Sequence, residues 1–390
     1  MFENTRTVVC TIKAFMQTRN AAQTASQNPV LLALTLMNAR PLSIAIQRLF
    51  HRLWYTKIGM QLSVGDGAIC RVSRHTSAMW RLKRDLSILF GLWTVLLLGG
   101  YTGEALAVSG RVAIESGGVT RSAILVEHAR LKKSRRPVII ILHAGGGNAV
   151  RVRHILGLED KARSAAPVMV YPEAIDRRWG DAAKQGNSRD TAFIHDLIAK
   201  LISEGIADRH RIFIVGSASG GLMAMKLACG GADFAGIVAI FSELPADIAA
   251  GCKPAHPLPF LLILGTADPF VPYKGGTANL IDAKAELLSG NATLDVFAKA
   301  AGCGEGRATS AFADHDARDN SRAFLDKLNG CKVPVELLRI EGGGHLLPRV
   351  GTLGAGVRGP EGERGIAPGM RNRDVDAPLV IWDFLRRLGA

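Results

Sequence analysis

Between Arg211 and Cys229 the chain reads R-I-F-I-V-G-S-A-S-G-G-L-M-A-M-K-L-A-C. An apolar, β-branched run ends at Gly216, a corner of small residues follows, and a helix-forming run leaves it. A chain that turns so abruptly from buried strand to helix needs a sheet covered by helices. The same alternation recurs on both sides of this segment. Val138–Leu142, Val168–Tyr171, Ile212–Val215, Ile237–Phe241, Phe260–Leu264 and Val335–Ile340 read as strands. Their continuous apolar character fits strands buried on both faces, as in a parallel sheet. Thr191–Ile202 reads as a helix, with Phe193/Ile194, Leu197/Ile198 and Leu201/Ile202 on one stripe, and Leu222–Cys229 and Ala377–Leu388 as two more. The expectation is an α/β fold: a mostly parallel central sheet with helices on both faces, in one domain without internal repeats. Two segments, Gly304–Asn329 (polar and charged) and Arg349–Arg373 (rich in Gly and Arg), read as surface loops.

The first hundred residues do not share this pattern. They lack a sustained period of 2 or 3.6 and are poor in acids. M-W-R-L-K-R-D at Met79–Asp85 precedes a nearly uncharged run from Leu86 to Gly100, and E-A-L-A ends at Ala107. Basic residues, a short apolar stretch and a small-x-small site describe a secretory signal peptide. At about 15 residues the run falls short of the roughly 20 that a spanning helix needs; a retained anchor is the competing reading. The expected organisation is an upstream stretch without a fold over 1–78, a signal peptide over 79–107 and one folded domain over 108–390. Secretion or periplasmic export follows, with no stable membrane span after signal removal.

Charge and cysteines change meaning once that leader is set apart. The chain carries +14, and residues 1–107 hold 12 Lys/Arg against 4 Asp/Glu, so only +6 remains in the rest. That mild, scattered excess, without a nucleic-acid motif or a stacking platform, argues for solvated surface and against a nucleic-acid partner. Cys10 and Cys70 precede the domain, which leaves Cys229, Cys252, Cys303 and Cys331. An even count in an exported chain suggests disulfides. Three connectivities are open, and neighbour pairing, Cys229 with Cys252 and Cys303 with Cys331, is preferred. No C-x-x-C or close Cys/His cluster is present, so a zinc site is not expected.

Chemistry gathers just past the strands. Leu142–Asn148 reads L-H-A-G-G-G-N, a loop whose glycines let the backbone approach a ligand. In ester hydrolases an H-G-G loop gives a backbone N–H to the oxyanion hole, and the residue after the nucleophile gives another. Here the donors would be Ala144 or Gly145, and Ser219. A phosphate loop would need a following G-K-[ST], which is absent. L-G-T-A-D-P places Asp268 after one strand, and E-G-G-G-H places His345 after another. Either residue alone says little, since aspartates are common in turns and most loop histidines are structural. The order nucleophile, acid, histidine is nevertheless the α/β-hydrolase order, each member following its own strand. From Gly216 to Gly220 the pattern is G-x-S-x-G, except that its centre is Ala218, with Ser217 and Ser219 beside it.

On these residues the chain resembles the secreted poly(3-hydroxybutyrate) depolymerase and feruloyl-esterase-like family of α/β-hydrolases. The resemblance runs from about Val138 to Leu388. It rests on L-H-A-G-G-G-N-A, V-Y-P-E with R-R-W-G-D, the elbow, L-G-T-A-D-P-F-V-P-Y, E-G-G-G-H and N-R-D-V-D-A-P-L-V-I-W-D-F. It implies the α/β-hydrolase fold and serine esterase chemistry on hydroxyalkanoate or aryl esters without metal or cofactor, a small ester or polyester being the partner. It also implies that His143 and Trp179 lie near the acyl-binding cleft, although tryptophan is more often core. Three departures stand out: Ala144 for a glycine, Leu346-Leu347 for Thr-Trp, and Ala218 for the serine. Both flanks of Ala218 match without a gap, so centring Ser219 instead would need two compensating shifts.

Three readings follow. The first is an exported ester hydrolase, working through Ser217 or Ser219 if either reaches His345. The second is a non-catalytic relative that binds an ester, a polymer or a glycan. The third is a peptidase-like member of the same superfamily. Oligomeric state is open.

Overall fold

A computed structural model describes residues 107–128, 135–180, 188–279, 284–350 and 368–390. The expected leader and upstream stretch lie outside the described residues, apart from Ala107, which opens the first strand.

In chain order the elements are β1 (Ala107–Ser116), β2 (Val119–His128), β3 (Arg136–Leu142), α1 (Ala149–Leu156), α2 (Leu158–Lys161), β4 (Val168–Pro172), α3 (Arg189–Ser203), β5 (Ala207–Ser217) and α4 (Ser219–Cys229). There follow β6 (Gly236–Ile240), α5 (Ala246–Ala250), β7 (Phe260–Gly265), β8 (Gly276–Asn279), β9 (Lys284–Leu287), α6 (Gly290–Ala300), β10 (Arg307–Ala311), β11 (Arg322–Leu328), β12 (Val335–Glu341) and α7 (Ala377–Arg387). Ten strands form one sheet in the order β1-β2-β4-β3-β5-β6-β7-β12-β11-β10. The six from β4 to β12 run parallel. Antiparallel pairs flank them on both sides.

The central strands are apolar throughout because each residue, whichever way it points, meets a helix layer. Val138, Ile140 and Leu142 of β3 pack with Phe193 and Leu197 of α3, Leu222 of α4 and Phe297 of α6. The intervening Ile139 and Ile141 pack with Val152 of α1 and with Ile381 and Phe384 of α7. The expected stripe of α3 is its core face, with Phe193, Ile194, Leu197 and Leu201 buried. Ser188 caps that helix in a reciprocal bond with Thr191, which fixes where the chain leaves its loop. This is the α/β-hydrolase architecture.

One loop expectation fails. Gly304–Asn329 holds β10 and β11, which extend the sheet beyond β12. All five residues of β10 are exposed, and β11 buries the charged Asp326 among them, so neither strand carries an apolar pattern. Asp326 accepts from Thr309 Oγ1 and Arg339 Nε, which satisfies the buried carboxylate. The β1–β2 hairpin, turning at Gly117-Gly118, was likewise invisible as apolar runs. Within Arg349–Arg373 only 349–350 and 368–373 are described, and they form no helix or strand. Both expected disulfides, Cys229–Cys252 and Cys303–Cys331, are present. Among the described residues no helix is long and apolar enough to cross a membrane.

Candidate active site

Because β3, β5, β6, β7 and β12 are parallel neighbours, the loops after them meet at one edge of the sheet. The carboxyl edge of such a sheet is where α/β folds place their ligands. His143–Asn148, Ala218, Phe241–Glu243, Asp268 and His345 all sit in those loops.

The elbow is a one-residue hinge. Ser217 ends β5, Ser219 begins α4, and Ala218 between them adopts φ 49, ψ −117. A residue with a Cβ rarely takes such a positive φ, so the surroundings must enforce it. Ala218 N–H donates to Ile240 O at 2.8 Å, and Ala218 O accepts from Ser242 Oγ at 2.7 Å and Leu222 N at 3.0 Å. Close packing does the rest. A Cβ on Gly216 would run into the Gly220 carbonyl, and one on Gly220 would stand 2.6 Å from both Leu142 O and His143 O. The elbow therefore lies against the L-H-A-G-G-G-N loop.

Asp268 and His345 meet. His345 Nδ1 is 2.6 Å from Asp268 Oδ2, while Asp268 Oδ1 accepts from Phe270 N at 2.8 Å and Val271 N at 3.0 Å. The carboxylate side chain is 1% exposed and the imidazole 12%. With Nδ1 donating to the carboxylate, Nε2 is the basic nitrogen, and it has no hydrogen-bond partner among the described residues. The ring is wedged between Phe241, 4.8 Å away between centroids, and Phe270, edge-on at 5.3 Å. His345 N donates to Pro368 O at 2.6 Å. An aspartate that orients an imidazole and leaves its far nitrogen free is the arrangement for general-base catalysis.

The two serines are placed differently from the histidine's needs. Ser219 Oγ is buried without a hydrogen-bond partner, and neither serine bonds to His345 among the described residues. On the loop, Gly146 N–H is committed to Arg177 O and Gly147 N–H to Ala144 O. Ala144 and Gly145 N–H groups have no partner among the described residues, nor does the first N–H of α4, at Ser219.

His143 and Trp179 correct the expectation of a substrate contact. They are 0% and 1% exposed, sealed beneath the loop, and their rings pack 5.0 Å apart. Burial lowers the His143 pKa from its ordinary value.

Glu243 was missed. It follows β6 in F-S-E-L and is fully buried; among the described residues neither oxygen has a well-formed hydrogen bond, and the Gly290 N–H is the backbone donor nearest to pairing with it. Burial first, and the neighbouring Asp268 second, push its pKa up to about 8. An acid directly after an apolar strand was the available signal. Among the described residues no three His, Cys, Asp or Glu side chains cluster as metal ligands do.

No family model matches the chain. It is 28% identical over 229 residues to a protein of Nocardia uniformis subsp. tsuyamanensis named as the esterase NocK, covering 55% of this chain and 66% of that one. It is 26% identical over 219 residues to an Aspergillus flavus protein named as feruloyl esterase C, covering 54% of this chain and 71% of that one. The chain thus spans about two thirds of the length of these relatives. Among solved structures, an acetyl xylan esterase from Aspergillus awamori is similar with a TM-score of 0.44 at 13% identity, over 61% of this chain and 95% of that one. The chain has the α/β-hydrolase fold, and over about half of its length it is similar to proteins named esterase and feruloyl esterase.

Proposed function

We propose that this is an exported ester-processing protein, in which Ala218 occupies the nucleophile's place and hydrolysis proceeds without an acyl-enzyme. The observation that carries this reading is the 2.6 Å Asp268–His345 pair on the same sheet edge as unpartnered loop and helix N–H groups. His345 Nε2 takes a proton from a water, whose oxygen adds to the ester carbonyl. N–H groups of Ala144 or Gly145 and of Ser219 stabilise the oxyanion. As the tetrahedral adduct collapses, the C–O bond to the alcohol breaks and His345 returns the proton to the leaving oxygen. The products are a carboxylic acid and an alcohol. With no nucleophile, the residual acceleration is on the order of 10³–10⁴ over water. The relatives' names, esterase and feruloyl esterase, support a carboxylic ester as substrate; the hydroxyalkanoate or aryl type rests on the sequence resemblance alone. The two disulfides support an oxidising compartment.

The binding-module reading is favoured by one observation, the buried and unpartnered Ser219 hydroxyl, which is not bonded to the histidine that would activate it. Turnover of a p-nitrophenyl ester and labelling by a fluorophosphonate separate the readings. Slow hydrolysis, abolished by His345→Ala, with no serine labelled, is expected. Ester binding without any turnover would establish the binding module instead. Labelling at Ser219 or Ser217, with activity lost in the matching alanine variant, would restore a serine mechanism.

A further inference from the structure

We propose that Trp179 and His143 are positioning residues of the oxyanion hole, each orienting one peptide plane of the Leu142–Asn148 loop. The proposal rests on the reading that Ala144 and Gly145 N–H groups face the ester oxygen. A peptide unit is planar and trans, so its C=O and N–H point in opposite directions, and fixing one fixes the other. The two candidate donors belong to consecutive units.

The first unit joins His143 to Ala144. Its oxygen accepts from Trp179 Nε1–H at 2.8 Å, in a buried contact, so the Ala144 N–H is aimed the opposite way. The second unit joins Ala144 to Gly145. Its oxygen lies 2.7 Å from His143 Nδ1 and 2.9 Å from Gly147 N, which aims the Gly145 N–H in turn. His143 must therefore carry its proton on Nδ1. Its other nitrogen accepts from Ala174 N–H at 3.2 Å, which selects that tautomer. The charged groups facing His143 are Glu173, whose carboxylate is 3.9 Å from Nε2, with Arg177 and Asp190 acting at longer range. Burial outweighs them and keeps the ring neutral.

Arg177 completes the clamp. Its guanidinium donates to Gly146 O and, through Nε at 3.2 Å, to Gly147 O. Its own backbone sits at φ 61, a strained value for a non-glycine residue. Arg177 and Trp179 of R-R-W-G are thus folded against the back of the loop. An oxyanion hole works because its donors are fixed before charge develops. Two buried rings that cannot touch an ester do that fixing through carbonyl oxygens.

Nuclear magnetic resonance on the natural protein tests this without any turnover. Long-range ¹⁵N correlation should find His143 neutral at pH 7 with hydrogen on Nδ1. Backbone ¹⁵N order parameters should then divide by variant. Trp179→Phe should lower Ala144 from the rigid value of about 0.85 toward 0.6 more than Gly145, and His143→Gln should do the reverse. In the Ala218→Ser background, each variant should cut kcat at least ~10-fold with KM changed less than twofold, somewhat less than the loss of a whole donor. A His143 bearing its proton on Nε2 overturns the proposal, even if neither variant folds. So do order parameters that fall equally at both amides or at neither. Failure of ester turnover alone, with the amide pattern intact, would count against the hydrolase reading and leave the positioning role standing.

Discussion

Asp268 and His345 hold each other through their side chains, and the elbow across the same sheet edge holds its shape through backbone alone. On the acid–base side, Asp268 spends one oxygen on the imidazole and the other on two backbone N–H groups, so changing the side chain dismantles the arrangement. On the elbow side, the bonds that impose φ 49 at Ala218 use its N–H and C=O, and the close packing involves Gly216 and Gly220. None of these contacts requires a hydroxyl at 218. A serine could therefore be lost there without any structural penalty, whereas Asp268 or His345 could not. The catalytic shape and the catalytic atom are separable on one side of the site and inseparable on the other.

The largest effect expected from this contrast is a gain. If the elbow is intact and lacks only its oxygen, Ala218→Ser should raise hydrolysis of a short p-nitrophenyl ester by at least ~10³-fold, the order lost when a triad nucleophile is removed. Adding His345→Ala should erase the gain, since the new serine would have no base. No gain from Ala218→Ser in a folded protein would mean that the elbow's shape has drifted along with its chemistry.

Breaking the backbone side should cost stability. Gly216→Ala drives a methyl into the Gly220 carbonyl, a clash with rigid main chain that no rotamer change relieves. About 3 kcal/mol of unfolding free energy should be lost in a urea titration, at the upper end for overpacking. A loss under ~0.5 kcal/mol would show that the corner is more pliable than its contacts imply. Replacing Cys303 and Cys331 by serine should cost somewhat less, about 2 kcal/mol. The chain-entropy value of about 3 is seldom fully delivered. That bridge ties the end of α6 to the turn before β12, the strand that leads to His345. Ester affinity should be retained at a temperature where both forms are folded.

What could be read in advance follows the same division. The parallel strands were legible because burial on both faces leaves only apolar side chains, as in V-I-I-I-L at Val138–Leu142. β10 and β11 were not, because an edge strand with five exposed residues and a neighbour hiding Asp326 has no such pattern. In the site, Asp268 and His345 stood out as polar residues in glycine turns directly after apolar strands, and the structure brings them together. His143 and Trp179 are legible as neighbours of the loop, but their burial is not. Sequence cannot distinguish an indole N–H aimed at a ligand from one aimed at a carbonyl in the next loop. Glu243 was passed over because a lone acid after a strand resembles surface, and only the packing of α6 and the neighbouring loops makes it interior.

Glu243 is also where the two sides of the site join. Three consecutive residues after β6 each touch one member of the constellation. Phe241 packs on the His345 ring, Ser242 bonds the Ala218 carbonyl, and Glu243 lies near enough to Asp268 to feel its charge. With its pKa raised from 4.5 to about 8, Glu243 holds a proton in the folded protein over a range where the unfolded chain has released it. The folded state then binds more protons than the unfolded one, so stability falls as pH rises from about 4.5 to about 8. Glu243→Gln copies the protonated form and removes that slope. It should raise the melting temperature near pH 8 and leave it nearly unchanged near pH 4.5. If the variant is instead less stable near pH 8, Glu243 is an anion that the acid–base side of the site holds in place. The acid–base side of the site would then extend across β6, up to the residues that hold the elbow.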